Sequence, residues 1–367
     1  MAKPSKTVLQ FGTGRFLRSF VDLFIHEANR SSETELVVIA VQSTGSERAR
    51  KLSDGPFHVA IRGVSNGKIV DSVQTVEAVR RGVSADEDWD AVIQAAEDES
   101  LSIIVSNTTE AGLSLDAIDS VLMGVPSSYP AKLLAALLAR YEAGGAGLTI
   151  LPCELVDRNA QILRDLVVEQ ANIWDVDREA ISWVREENRW CNTLVDRIVS
   201  APPDDHPLYK SDPLLSVAEP FAFWAIESGD ILPFTHPAIE CVDDVSPFSL
   251  RKVRILNGAH TALVERAGEK FVTVREAMAH QETRDWLESL VTDEIVPCVE
   301  DRVDGASQFA RDVFERFENP FLDHRLADIA LHQAEKVKVR LLPTYNEYRQ
   351  RFGKPPTLLG QALAQHL

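Results

Sequence analysis

The first 42 residues contain two apolar runs separated by a helically spaced apolar set. Residues 7–11 and 36–41 are largely continuous apolar stretches, typical of parallel strands buried on both faces. Between them, bulky apolar side chains recur at the helical interval, at Phe16, Leu17, Phe20, Val21, Phe24 and Ile25. Gly12-Thr13-Gly14 separates the first strand from this helix. The order strand, glycine turn, helix and strand predicts a βαβ unit.

The pattern beyond this unit continues as strands with one intervening helix. Residues 57–62 and 68–73 flank Asn66-Gly67, a dipeptide that favours a hairpin turn. Two more apolar runs, 101–106 and 148–151, enclose an apolar helix over residues 131–143. This alternation predicts an α/β fold with a Rossmann-type, doubly wound parallel sheet.

From residue 246 onward the pattern is helical. Amphipathic segments are predicted over residues 248–267, 274–302, 306–317 and 323–341. We therefore expect a dinucleotide-binding Rossmann-type domain over residues 1–245. A mostly α-helical substrate and catalytic domain is expected over residues 246–367.

The net charge and the cysteine content of the chain limit the classes of ligand that we expect it to bind. The formal net charge of −18 argues against nucleic acid and anionic membranes, because both bind basic surfaces. An anionic small molecule needs only a local group of cations. The four cysteines stand far apart and lack metal-ligand spacing, so we expect reduced thiols, no metal site and a cytoplasmic protein.

The glycine turn is a candidate phosphate site. Gly12, Thr13 and Gly14 stand between strand and helix, where backbone N–H groups can face a dinucleotide pyrophosphate. A plain tight turn is the alternative, since Leu17 occupies the position of the usual third glycine. The second strand ends in Val41-Gln42-Ser43-Thr44 without a ribose-binding acid. Gln42 or Ser43 could bind a ribose hydroxyl and Arg48 a 2′-phosphate, so the choice between NAD and NADP stays open.

Lys252, Asn257 and His260 form a second candidate site. On a regular α-helix Lys252 and His260 lie about 80° apart, with Asn257 about 60° beyond His260. A lysine can accept the proton of an alcohol during oxidation, an asparagine can donate to the alkoxide, and a histidine can orient the hydroxyl. The alternative is a solvated lysine and a histidine that serves packing.

Several segments in order resemble the long-chain mannitol dehydrogenase family of polyol and sugar-acid dehydrogenases. The resemblance implies a Rossmann domain, a helical C-terminal domain, NAD and no zinc. It assigns Lys252 as general base, Asn257 as alkoxide stabiliser and His260 as the group that orients substrate. It also places Arg15, Phe16, Asn107 and Thr108 among the cofactor-binding residues. The segments are 10–18 (QFGTGRFLR), 106–112 (SNTTEAG), 152–155 (PCEL), 195–198 (VDRI), 252–260 (KVRILNGAH) and Asn319-Pro320.

Within the family, residues 128–133 (SYPAKL) and 192–199 (NTLVDRIV) resemble the branch that interconverts a keto sugar acid and its aldonate, such as tagaturonate and altronate. The expected substrate-binding residues are Lys132, Glu154, Arg197 and Arg340, of which the three cations are candidates for a carboxylate clamp. Leu155 departs from the family's polyol enzymes, which carry asparagine there. A polyol or mannonate-type dehydrogenase and a non-catalytic NAD-binding sensor are the alternatives, and the oligomeric state is left open.

Overall fold

The computed structural model describes residues 3–109, 112–229 and 234–366. They form two compact units. The first contains residues 1–60, 73–218 and 222–245, and the second contains residues 61–72, 219–221 and 246–367. None of the described helices is both long enough and apolar enough to span a bilayer.

The main sheet of the first unit has six strands in the order β5-β2-β1-β6-β7-β8. All its neighbouring strands are parallel. With the hairpin β3–β4 set aside, this is the doubly wound order, with its topological switch between β1 and β6. The predicted Rossmann-type fold is therefore confirmed. The described strands are β1 (Ser5–Phe11), β2 (Glu35–Gln42), β3 (Phe57–Ser65), β4 (Lys68–Val76), β5 (Val79–Ser84), β6 (Leu101–Ser106), β7 (Thr149–Pro152), β8 (Arg189–Trp190), β9 (Thr193–Asp196), β10 (Val199–Ser200), β11 (Ser216–Ala218), β12 (Phe223–Glu227) and β13 (Ile239–Val242).

Two smaller sheets accompany the main one. Their orders are β10-β11-β3-β4 and β13-β12-β9. The hairpin turns at Asn66-Gly67, where both residues have positive φ, as the dipeptide predicted.

The described helices divide between the two units. The helices are α1 (Arg15–Ser19), α2 (Val21–Asn29), α3 (Glu47–Ser53), α4 (Trp89–Glu97), α5 (Tyr129–Glu142), α6 (Asn159–Ile173), α7 (Arg178–Glu186), α8 (Ser246–Arg251), α9 (Gly258–Ala267), α10 (Val274–Ala279), α11 (Gln281–Ser289), α12 (Ala306–Phe317), α13 (Leu326–Ile329), α14 (Gln333–Arg340), α15 (Leu342–Phe352) and α16 (Thr357–Ala362). From α8 onward the chain contains no named strand among its described residues, which confirms the expected helical C-terminal domain.

Four predicted helical segments are interrupted: that at 16–25, that at 248–267, that at 274–302, which divides at His280 into α10 and α11, and that at 323–341, which divides into α13 and α14. The first one breaks at Phe20, whose N–H bonds to the carbonyl of Leu17 and so tightens the turn between α1 and α2. The segment predicted over 248–267 is also not one regular α-helix. A π-helix spans Lys252–Asn257 between α8 and α9, and a second one spans Leu290–Ile295.

Candidate active site

The glycine turn lies where β1 ends, beside the carboxyl end of β6. Gly12 has φ of +130°, a conformation that glycine adopts without strain. A Cβ at this position would lie 2.9 Å from Leu17 Cδ1 and 3.2 Å from the carbonyl oxygen of Asn107. The missing side chain of Gly12 therefore leaves room for Leu17, which occupies the position of the usual third glycine.

A cleft of about 630 Å³ opens at this switch point. Ligands of doubly wound sheets bind in such a position, outside the carboxyl ends of the strands. Six of the predicted cofactor residues line the cleft together: Gly12, Thr13, Gly14, Gln42, Asn107 and Thr108. The lining also contains Ser43 and Thr44, which follow β2, and Arg48 in α3. Another depression, of about 560 Å³, lies where β2 and β5 begin, away from this switch point.

The other two predicted cofactor residues do not line the cleft. Arg15 is exposed, and the ring of Phe16 stacks on Phe20 at 4.9 Å between centroids. Gln42 lines the cleft, but its amide is already engaged. Its Oε1 accepts from the backbone N–H of Ala49, and its Nε2 donates to the carbonyl of Thr44, both at 2.8 Å.

Glu154 connects the carboxyl ends of β6 and β7. Its side chain accepts hydrogen bonds from the backbone N–H of Thr108 at 2.9 Å and from the hydroxyl of Ser106 at 3.1 Å. Asn107 donates to the carbonyl of Cys153 at 2.7 Å. Burial raises the pKa of Glu154. These bonds hold the segment 106–108 in place; Glu110 and Ala111, from the same matching segment, lie outside the described residues.

Lys132 lies inside the first unit, at the start of α5. It is 3% exposed, and its Nζ donates to the carbonyl of Ser127 at 2.7 Å. Burial lowers the pKa of Lys132, while Asp119 and Asp86 raise it. Since Ser127 lines the cleft, Lys132 supports the cleft wall. The expectation that it clamps a carboxylate gains no support from these contacts and stays a prediction.

Arg197 also has its described contacts within the first unit. Its Nη1 donates to the carbonyl of Ser19 at 2.9 Å, and its guanidinium lies 5.9 Å from the ring centroid of Phe24. Arg197 thus ties the end of α1 to the chain after β9. Its expected role in substrate binding likewise remains a prediction.

Lys252, Asn257 and His260 lie close in sequence in the second unit, but the expected angles between them were wrong. They assumed a regular α-helix, in which Lys252 and Asn257 would be about 140° apart. Both residues lie in the π-helix, whose i→i+5 hydrogen bonds close a wider turn. Residues five apart are rotationally closer in such a turn. Lys252 and Asn257 therefore come nearer to a common face than predicted.

The ring of His260 is held between two other rings. It is 7% exposed and lies 4.2 Å from the centroid of Phe317 and 5.0 Å from that of His324. Burial lowers the pKa of His260 well below 6.5, and the nearby positive groups His324, Arg316, Arg340 and Lys336 lower it further. His260 is thus a neutral hydrogen-bonding group at neutral pH.

The positively charged side chains around His260 differ in whether a carboxylate neutralises their charge. Arg316 forms a buried two-point ion pair with Glu219, with both N–O distances at 2.9 Å. Arg340 donates to the hydroxyl of Thr261 at 3.3 Å, and Lys336 to the carbonyl of Ile329 at 2.6 Å. Burial lowers the pKa of both groups, and Arg340 lowers that of Lys336 further.

Lys336 and Arg340 form what we call the cationic pair. They are four residues apart on α14 and half-buried. No carboxylate of the described chain lies within ion-pair distance of either group. Arg340 was predicted from the sequence as a substrate-binding residue, and Lys336 was not. The interval of four was visible in the sequence, whereas the absence of compensating acids in the fold was not.

The chain matches two sequence profiles along its length. The mannitol dehydrogenase Rossmann domain profile matches residues 6–240, and the mannitol dehydrogenase C-terminal domain profile matches residues 244–366. The chain belongs to the mannitol dehydrogenase family. It is accordingly an oxidoreductase.

Curated relatives named altronate oxidoreductase align over almost the whole chain. That of Halalkalibacterium halodurans is 38% identical over 97% of this chain and 73% of its own length. That of Bacillus subtilis is 37% identical over 96% of this chain and 77% of its own.

Two solved structures share the fold. D-sorbitol dehydrogenase in substrate-free form has a TM-score of 0.78 at 22% identity, covering 94% of this chain and 78% of its own. The ternary complex of Pseudomonas fluorescens mannitol 2-dehydrogenase with NAD and D-mannitol has a TM-score of 0.75 at 19% identity, covering 98% and 78%.

Proposed function

We propose that the protein is an NAD-dependent oxidoreductase that interconverts a keto sugar acid and its aldonate, with tagaturonate and altronate as the favoured pair. The relatives with the name altronate oxidoreductase support this substrate class. The cationic pair is the observation that carries the proposal. A sugar acid differs from a polyol by its carboxylate, and this protein of net charge −18 keeps two uncompensated cations beside His260.

The cleft of the first unit fits a dinucleotide. A Cβ at Gly14, which lines the cleft, would stand in open space, so this glycine leaves room for a pyrophosphate to approach the backbone. A bound nicotinamide would supply the hydride acceptor for the alcohol and, in reduced form, the hydride donor for the ketone. Ser43, Thr44 and Arg48 line the cleft, and residues 42–45, which follow from the end of β2, include no acidic residue to bind the ribose. The mannitol 2-dehydrogenase complex holds NAD, which favours NAD here.

The second unit supplies the acid–base groups. Lys252 accepts the proton of the substrate hydroxyl during oxidation and returns it during reduction. Asn257 donates a hydrogen bond to the alkoxide oxygen. His260, neutral and fixed against Phe317, orients the hydroxyl group. The π-helix that holds Lys252 and Asn257 supports these roles, because such segments occur frequently at functional sites.

The substrate carboxylate interacts with the cationic pair. Each charge-assisted contact of this kind contributes about 1.5–3 kcal/mol. Arg340, whose guanidinium already donates to Thr261, offers further donors for a two-point contact. Lys336 adds a point charge on the same helix. An uncharged ketose lacks the group that these cations recognise.

A panel of substrates tests the proposal. NADH and NADPH oxidation is measured with tagaturonate, fructuronate and fructose. The expected result is the highest kcat/KM with tagaturonate and NADH. A preference for fructose would assign a polyol dehydrogenase, and a preference for NADPH would overturn the cofactor. A chain that binds NADH without turning over any of the three would fit a sensor.

A further inference from the structure

Two buried side chains donate hydrogen bonds to the carbonyl oxygens of two peptide groups in the glycine turn. Gln10 Nε2 donates to the carbonyl oxygen of Gly12 at 3.1 Å. Arg18 Nη1 donates to the carbonyl oxygen of Thr13. Both carbonyls therefore point into the protein.

The opposite side of the same peptides faces a ligand. In a planar trans peptide, the carbonyl of one residue and the N–H of the next point in opposite directions. The inward carbonyls of Gly12 and Thr13 thus turn the N–H groups of Thr13 and Gly14 outward. Both residues line the cleft, and neither N–H has an acceptor among the described residues.

The turn needs these two hydrogen bonds because its glycines do not determine the orientation of the peptide groups. Gly12, at φ of +130°, and Gly14 flank Thr13 and allow its two peptide groups to rotate at low cost. A rotated peptide would place a carbonyl oxygen in the cleft, where it would repel a phosphate. Anion sites on backbone depend on N–H groups that all point at the ligand.

The two supporting side chains are themselves fixed. Gln10 is fully buried, and its Nε2 also lies 3.4 Å from Asp22 Oδ2, so two acceptors define the orientation of the amide. Arg18 is 3% exposed and donates a second hydrogen bond to the carbonyl of Leu214 at 2.9 Å. Burial lowers the pKa of Arg18 to about 10, a value at which the group keeps its charge at neutral pH.

We infer that Gln10 and Arg18 are positioning residues that orient two peptide N–H groups of the glycine turn toward the pyrophosphate of the cofactor. This inference rests on the proposed dinucleotide in the cleft. Neither side chain touches the cofactor. They act through the Gly12–Thr13 and Thr13–Gly14 peptides.

Binding measurements on three variants test the inference. The dissociation constants of NADH, ADP-ribose and adenosine are measured by fluorescence titration and competition, without substrate. Gln10→Met removes one donor at similar side-chain length, and Arg18→Lys keeps the charge but cannot serve both carbonyls. Each variant is expected to bind NADH and ADP-ribose about ten- to hundredfold more weakly, as for a lost charge-assisted hydrogen bond. Adenosine, which has no phosphate, should bind as before.

Ser216→Ala is the matched control. Ser216 is buried and its hydroxyl lies 2.6 Å from that of Ser19, so the variant loses a nearby buried hydrogen bond that does not involve the turn. It should keep the wild-type affinities. Equal weakening of adenosine and NADH in Gln10→Met and Arg18→Lys, or unchanged NADH affinity in both, would overturn the inference. Wild-type protein that binds neither NADH nor ADP-ribose would instead overturn the proposed cofactor.

Discussion

The imidazole of His260 packs against the ring of Phe317 with 4.2 Å between the ring centroids. Phe317 is the last residue of α12, whereas His260 lies in the first turn of α9. The contact fixes the plane of the imidazole in a buried, positively charged environment. The contact with Phe317 gives the ring a defined orientation, and the buried, positively charged environment favours its neutral form.

His260 is not expected to shape the pH profile. Its pKa lies well below 6.5, so the ring stays neutral from pH 6.5 to 9. His260→Gln should lower kcat/KM by at least about tenfold, since a hydrogen bond that orients substrate is lost. The pH–rate profiles of the two proteins should nevertheless be parallel in this range. A limb near pH 6.5 that disappears in the variant would contradict the assignment.

Lys252→Ala should lower kcat by about two to four orders of magnitude, because a positioned acid–base group contributes that much. The measurement is steady-state turnover of the keto acid at saturating NADH, with thermal unfolding as a check on the fold. Lys270→Ala, at an exposed lysine of the same unit, is the control and should turn over normally. Near-normal turnover by Lys252→Ala would refute the role of general base.

Lys132→Met distinguishes cleft support from substrate binding. The lost bond to the carbonyl of Ser127 should loosen the cleft wall. We expect KM for NADH to rise several-fold, about the effect of one hydrogen bond of roughly 1 kcal/mol, with little change in KM for the keto acid. A rise above tenfold in KM for the keto acid alone would restore Lys132 as a carboxylate clamp.

Asp22 predicts a pH dependence of stability. Burial raises its pKa from 3.8 to about 7, with Gln10 and Arg18 acting in the opposite direction. The folded state then holds a proton that the unfolded state releases, so this contribution is complete below pH 3.8 and is lost as pH rises to about 7. Its full size is on the order of 4 kcal/mol. Urea unfolding from pH 5 to 8 should show Asp22→Asn gaining stability relative to wild type up to pH 7 and then levelling off. A constant difference would contradict the raised pKa.

Much of the fold could be predicted from local pattern. Buried parallel strands leave continuous apolar runs, and the residues predicted as β6 coincide with Leu101–Ser106. The amphipathic segment 306–317 coincides with α12, which follows Gly305 in a left-handed conformation. The π-helix at Lys252–Asn257 could not be predicted, because a segment of 6 residues is too short for its wider period to be distinguished from that of an α-helix.

The sequence predicted which residues form the site better than it predicted the environment of each side chain. The glycine turn, Asn107 and Thr108 meet at one cleft because they follow strands that are adjacent at the switch point. Burial of a charged residue depends on distant segments. The guanidinium of Arg18 is buried and donates to the carbonyl of Leu214, which is distant in sequence. No local pattern predicts this contact. For the same reason the sequence did not show that Lys132 is buried and donates to the carbonyl of Ser127 in the cleft wall.

The ratio of kcat/KM for tagaturonate to that for fructose, measured with NADH in Arg340→Gln and Lys336→Gln, tests the central claim most directly. Lys338→Gln on the same helix is the control, since Lys338 is exposed and paired with Glu335. The cationic pair predicts that the ratio falls at least tenfold in each of the first two variants, because only the keto acid loses a charge-assisted contact. In the control it should be unchanged. An unchanged ratio in Arg340→Gln and Lys336→Gln, or an equal fall in Lys338→Gln, would contradict recognition of a sugar-acid carboxylate by this pair.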